Sequence, residues 1–138
     1  MISENRVFDA NLETMPQIMR FIEDLSAALP PKIAYEIMLV CEEVLINIVN
    51  YAYPAGGGQL TLLWENDTQG RELLIVFEDA GIPFNPLEKE EPKFDVPIAE
   101  RKIGGLGIHM VRSLMDTANY ERKDNKNFFT VTKKYVED

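Results

Sequence analysis

Apolar positions recur along this chain with two different periods, and the switches between them divide it into elements. Arg6 to Ala10 reads as a short strand. Ile18, Phe21, Ile22, Leu25 and Leu29 then return at helical spacing, behind Thr14 and Gln17, whose separation resembles a capping box. A second helix is predicted from Pro31 to Tyr53, opened by a proline suited to a first helical turn and closed by Pro54 and the glycines 56–58. Gln59 to Glu65 and Glu72 to Glu78 alternate as strands around Asn66-Asp67-Thr68-Gln69-Gly70, which is turn chemistry. A third helix starts at Gly104-Gly105-Leu106-Gly107 and ends near Asp116. Strands over Tyr120 to Lys123 and Phe128 to Tyr135 flank the polar turn Asp124-Asn125-Lys126-Asn127. Hairpin-linked strands with helices grouped between them give an α+β class: a two-layer α/β sandwich whose mostly antiparallel mixed sheet is covered on one face by helices.

One stretch fits neither period. From Pro83 to about Arg101, four prolines (Pro83, Pro86, Pro92 and Pro97) stand among charges, which breaks helix and strand alike. Loops longer than about 12–15 residues are uncommon inside compact domains and often act as lids. The 138 residues otherwise contain no repeat or linker and form one domain, 1–138. A net charge of −9 repels a phosphate backbone and argues against direct nucleic-acid binding. Cys41 has no second cysteine to pair with, and neither a membrane-spanning run nor signal-peptide features are present, so the expected location is the cytoplasm, with no membrane association.

The second helix is apolar almost all round, yet Glu36, Glu43, Asn47 and Asn50 fall within roughly 60° of one another at about 100° per residue. A solvated stripe ordinarily includes Lys or Arg; this one has neither. A carboxylate and a carboxamide one turn apart form an oxygen-rich corner suited to a hard cation such as Mg²⁺ and to accepting a proton. At Phe77-Glu78-Asp79-Ala80-Gly81 an apolar strand ends in an acid followed by glycine, which permits a sharp turn and close approach of a ligand. At Gly104-Gly105-Leu106-Gly107 glycines lead directly into a helix, leaving bare amides at its N-terminus for an anion. Each signal alone is ordinary: a solvent stripe, a turn, a helix start.

Their order is what discriminates. Glu43-x-x-x-Asn47, Asp79-x-Gly81, an irregular segment and Gly105-x-Gly107 resemble the N, G1 and G2 boxes of the GHKL ATPases, a resemblance that runs from about Arg6 to Lys134. Cys41-Glu42-Glu43-Val44-Leu45-Ile46-Asn47, Asp79-Ala80-Gly81-Ile82-Pro83-Phe84-Asn85-Pro86 and Ile103-Gly104-Gly105-Leu106-Gly107 are similar to the anti-sigma factor serine/threonine kinases of that superfamily. The resemblance implies the GHKL (Bergerat) fold, ATP and Mg²⁺ as cofactors, and a lid over about 83–103. It implies that Asn47 ligates Mg²⁺ on the triphosphate, that Asp79 accepts a hydrogen bond from the adenine amino group, and that Gly81 lets the base approach. Gly105, Leu106 and Gly107 would bind the phosphates, and Glu43 would be the general base. The implied partners are an anti-sigma factor antagonist and a sigma factor, with a homodimer as the assembly. Pro83 replaces a second glycine of other G1 boxes, and where relatives often place a threonine near adenine the last strand offers Phe128 or Phe129, with Thr130 just beyond.

Remaining residues take plainer readings. His109 is the sole histidine and reads as structural or surface, Cys41 as core, and Trp64, Tyr51 and Tyr53 as packing, with Tyr51 one turn past Asn47 and able to line a pocket. Arg101 and Lys102 read as surface charges or as phosphate contacts of a closed lid. Two functions stay open: a serine/threonine protein kinase, and a nucleotide-dependent binding module that sequesters a partner without phosphorylating it.

Overall fold

The computed structural model describes residues 1–88 and 105–136, with only the backbone of Gly105 and Leu106. Its elements are β1 (Ile2–Asp9), α1 (Met15–Ser26), α2 (Pro31–Tyr51), β2 (Gln59–Asp67), β3 (Glu72–Asp79), a 3₁₀ turn (Pro86–Glu88), α3 (Gly105–Leu114), β4 (Thr117–Lys123) and β5 (Lys126–Lys134). Five strands form one sheet in the order β1-β2-β3-β5-β4, and every neighbouring pair is antiparallel, so the expected mixed sheet has no parallel ladder. β3 and β4 consequently run the same way, and β5 fills the slot between them. The lid expected over 83–103 lies outside the described residues from 89 onward, as do Arg101 and Lys102.

Two departures from the sequence expectation have clear causes. β1 begins at Ile2 rather than Arg6 because it pairs with β2 along its whole length, Ile2 opposite Asn66 through Asp9 opposite Gln59. As an edge strand it is exposed from Ser3 through Val7, so no alternation advertises it. The last turn is shorter than expected: Asp124 and Asn125 both adopt left-handed backbone, φ 53° and 63°. That is the two-residue hairpin turn whose twist matches the flanking strands. It returns Lys126 and Asn127 to the strand.

No capping box forms at α1. Thr14 is already helical, at φ −84° and ψ −17°, and its side chain caps nothing. Asn11 Oδ1 instead accepts from the Thr14 amide at 2.8 Å and from its hydroxyl at 2.7 Å. α2 likewise lacks a side-chain cap at its N-terminus. Burial holds it: Ile37, Val40, Cys41 and Leu45 are fully buried. A cap contributes about 1 kcal/mol, whereas each buried Ile or Leu contributes about 1.5–3. These side chains meet Leu60, Leu62, Trp64, Leu73, Ile75, Phe77 and Val131 from the sheet and Ile108 and Val111 from α3 in a single core. On the opposite sheet face Leu63, Leu74, Val76, Phe128 and Thr130 are only half-buried, so the helices occupy one face.

Candidate nucleotide-binding site

β3 delivers Asp79 to the helix-covered face at the strand's last position, buried among apolar neighbours. Its Oδ1 accepts from the Gly81 amide at 2.9 Å and from Asn127 Nδ2 at 2.8 Å. Asn127 is in register directly across the β3–β5 ladder. Its Nδ2 also donates to the Ile82 carbonyl at 2.8 Å, and its Oδ1 accepts from the Tyr120 hydroxyl and from Arg122 Nη1 at 3.2 Å. Arg122 donates as well to the Gly81 carbonyl at 2.7 Å. Burial pushes the Asp79 carboxyl above its ordinary range; the Asn127 and Gly81 hydrogen bonds and the Arg122 charge oppose that shift, and Glu78 adds to it.

The segment beyond Asp79 is tied to the end of α2. Tyr53 Oη accepts from the Ala80 amide at 2.7 Å and donates to the Gln59 carbonyl at 2.5 Å, so its role exceeds the packing expected of it. The Ile82 amide donates to the Ala52 carbonyl at 2.8 Å. A Cβ built on Gly81 would fall 2.1 Å from that same carbonyl oxygen, a backbone atom that cannot swing aside. Glycine is therefore required here by contact with the helix, and close approach of a base to it belongs to the proposal below.

Asp79 and Asn47 line one cleft of about 340 Å³, part of it open to solvent. Val44, Ile48 and Phe129 supply apolar wall, with Phe84 and Pro86 beyond Gly81. Phe84 stacks on Tyr51, ring centroids 5.0 Å apart at 26°, so Tyr51 stands behind a lining residue. Arg112 of α3 donates to the Leu87 carbonyl at 2.5 Å and holds the 3₁₀ turn that follows Phe84. Phe129 points inward with Asn127 and Val131, which leaves Phe128 and Thr130 on the other face of β5 and away from the cleft.

At the other end, α2 carries Glu43 half-buried and Asn47 buried one turn apart, with Asn47 Nδ2 3.5 Å from Glu43 Oε1, the outer limit of a hydrogen bond. A Cβ on Gly107 would lie 1.9 Å from Glu43 Cδ, so the first turn of α3 rests against this carboxylate. Glu43, Asn47 and Gly107 are thereby brought together, and Asn47 and Asp79 share the cleft; Gly105 and Leu106 fall in the same first turn of α3. Of the polar line read on α2, Glu36 is half-buried and Asn50 exposed, and neither is among the cleft's lining residues. His109 is exposed and Cys41 buried, as expected, with burial raising the Cys41 thiol far above its usual range. Among the described residues no group of three or more His, Cys, Asp or Glu could hold a metal. Mg²⁺ held through one or two protein oxygens and substrate phosphates needs no such cage, and the Asn47–Glu43 oxygens suit it.

Asn127, Arg122 and Tyr53 are the residues that sequence reasoning missed. The signal for Asn127 was available in Asp124-Asn125, a pair suited to a two-residue hairpin that would have placed Asn127 on the inward phase of β5. Nothing local pointed to Arg122 or to the Tyr53 hydroxyl.

An antiparallel five-stranded sheet with helices on one face, and a cleft between α2 and the ends of β3 and β5, define a histidine kinase-like ATPase domain. The chain belongs to that family, matching it over residues 8–133. It is 27% identical over 101 residues to the serine/threonine-protein kinase BtrW of Bordetella bronchiseptica, covering 73% of this chain and 70% of that one. It is 24% identical over 83 residues to the serine-protein kinase RsbW of Bacillus cereus, covering 59% of this chain and 52% of the other. The histidine kinase AdeS of Acinetobacter baumannii shares the fold, with a TM-score of 0.53 at 16% identity over 97% of this chain and 68% of that chain. Among the described residues no helix is long and apolar enough to cross a membrane.

Proposed function

We propose that the chain binds Mg-ATP in this cleft and transfers the γ-phosphoryl group to a serine or threonine of an anti-sigma factor antagonist, and that in its free form it sequesters a sigma factor. The observation that carries the reading is the meeting of Glu43, Asn47 and Gly107, with Asn47 lining the same cleft as Asp79. The kinase names of BtrW and RsbW support it. Asp79 receives the amino group of the base, the apolar walls hold its ring, and the amides of Gly105, Leu106 and Gly107 receive phosphate oxygens at the start of α3. Asn47 would hold Mg²⁺, which would supply charge neutralisation at the phosphates. Glu43 takes the proton of the substrate hydroxyl as its oxygen bonds to phosphorus and the bond to the ADP oxygen breaks. Positioning and electrostatics supply most of such a reaction, with the base adding roughly 10²–10⁴-fold.

The test is incubation with γ-labelled ATP, Mg²⁺ and a candidate antagonist. Label on serine or threonine is expected. Nucleotide-responsive partner binding with no transfer by the wild type would replace the kinase with a binding module.

A further inference from the structure

Resting on the nucleotide-binding reading above, we propose that Asn127 is the positioning residue that orients Asp79 and so selects a nucleobase bearing a 6-amino group. The Asn127 side chain is 4% exposed, and each of its hydrogen-bonding directions is used. Nδ2 donates to Asp79 Oδ1 and the Ile82 carbonyl, both at 2.8 Å, while Oδ1 accepts from Tyr120 and Arg122. Two acceptors on one side and two donors on the other admit one orientation of the carboxamide, since a flip would set donor against donor and acceptor against acceptor. Asp79 Oδ1 is then saturated by Asn127 and the Gly81 amide. Oδ2 is left, among the described residues, as the acceptor for whatever enters the cleft. A base with an amino group at position 6 donates to it. A 6-oxo base such as guanine would set a carbonyl lone pair against a carboxylate, which leaves a buried polar group unpaired.

The same contact governs the charge of Asp79. The charged or ionisable groups around it are Glu78 beside it on β3, Arg122 and Tyr120 on β4, Tyr53 beyond the end of α2, Asp9 at the end of β1, and Lys126 on β5, 3.9 Å from Glu78. The α2 residues lining the cleft, Val44, Asn47 and Ile48, do not ionise. An amide donor on Oδ1 favours the anion against burial, and the carboxamide delivers that donor from Nδ2 while its Oδ1 accepts from Tyr120 and Arg122.

The test measures Mg-ATP and Mg-GTP affinity for wild type, Asn127→Ala and Asn127→Asp from about pH 6 to 8, and the Asp79 carboxyl titration by NMR in the ligand-free proteins. Asn127→Ala should lose at least about tenfold in ATP affinity, compress the ATP-over-GTP preference, and raise the Asp79 titration. Asn127→Asp should invert the pH response. Below the upper titration of the paired carboxyls, a shared proton restores a donor to Asp79 Oδ1; above it, two anions abut. Its ATP affinity should therefore climb as pH falls, where wild-type affinity declines. Tyr120→Phe, which removes one donor to Asn127 Oδ1, should move Asp79 in the same direction by less and serves if Asn127→Ala does not fold. An Asp79 titration unmoved in Asn127→Ala, or an affinity loss in Asn127→Asp that is flat with pH, overturns the proposal. Wild type binding neither nucleotide would instead remove the nucleotide reading, and the ligand-free titration keeps the two failures apart.

Discussion

At the Asp79 end of the cleft, β3, β4, β5 and the segment after α2 converge on one carboxylate and hold it through Asn127, Gly81, Arg122, Tyr120 and Tyr53. At the Glu43 end, a carboxylate and a carboxamide on a single helix meet at 3.5 Å against the glycine-rich start of another helix. The first end is assembled before any ligand arrives, which lowers the ordering cost of binding a base. Under the proposed function, the second end would receive a triphosphate and its metal. The proposed function would divide recognition and chemistry between a rigid sheet corner and a helix–helix contact, and substitutions at the two ends should then fail differently.

The largest contrast is expected from Glu43→Gln. It preserves the side-chain shape and removes the proton acceptor, so phosphoryl transfer should fall roughly 10²–10⁴-fold while ATP affinity changes by less than about threefold. Single-turnover kinetics beside calorimetry would show it, and equal losses in both would erase the proposed division. Asp79→Asn should do the reverse and weaken ATP binding by about 1–3 kcal/mol, roughly 5- to 150-fold. In either amide orientation a donor faces a donor, on the base or on Asn127. Unchanged affinity in the folded variant would move the base elsewhere.

Gly81→Ala sharpens the claim of rigidity. Its methyl would overlap the Ala52 carbonyl, so the end of α2 and the β3 exit must separate, at a cost of about 1–3 kcal/mol in stability. Denaturant unfolding measures this, and a neutral result would show that the contact yields. The smallest effect concerns pH. Because burial holds the folded-state Asp79 above its ordinary value of 3.8, the folded protein binds that proton more tightly than the unfolded chain. Asp79 therefore favours folding most below 3.8, and that contribution fades as pH rises through its folded value. The stability of ligand-free Asp79→Asn relative to wild type should be greatest near neutrality and decline on acidification. A difference in melting temperature that is constant with pH would contradict the buried, charged Asp79.

Element identity was written locally. The apolar faces of α1 and α2 and the alternation in β2 and β3 follow from which positions each element must bury, and nearby residues report that directly. The narrow Glu43–Asn47 line and the glycine-led start of α3 were legible for the same reason, since one helix or one turn carries each whole motif. The polar knot around Asp79 was not. The bonds that tie β4 and β5 to the end of β3 and the segment beyond it span 41 to 48 residues in sequence, as in Arg122 to Gly81 and Asn127 to Asp79. They meet only because β5 inserts between β3 and β4, a choice of strand partner made by packing over the whole sheet. The polar character of Asn127 suggested a turn, and nothing in its neighbours overrode that impression. By itself the sequence determined which residues face a core and which short motifs lie on a single helix or turn. Only the tertiary structure decided which carboxamide holds Asp79, because hydrogen bonds between strands depend on register, and register is set by contacts distant along the chain.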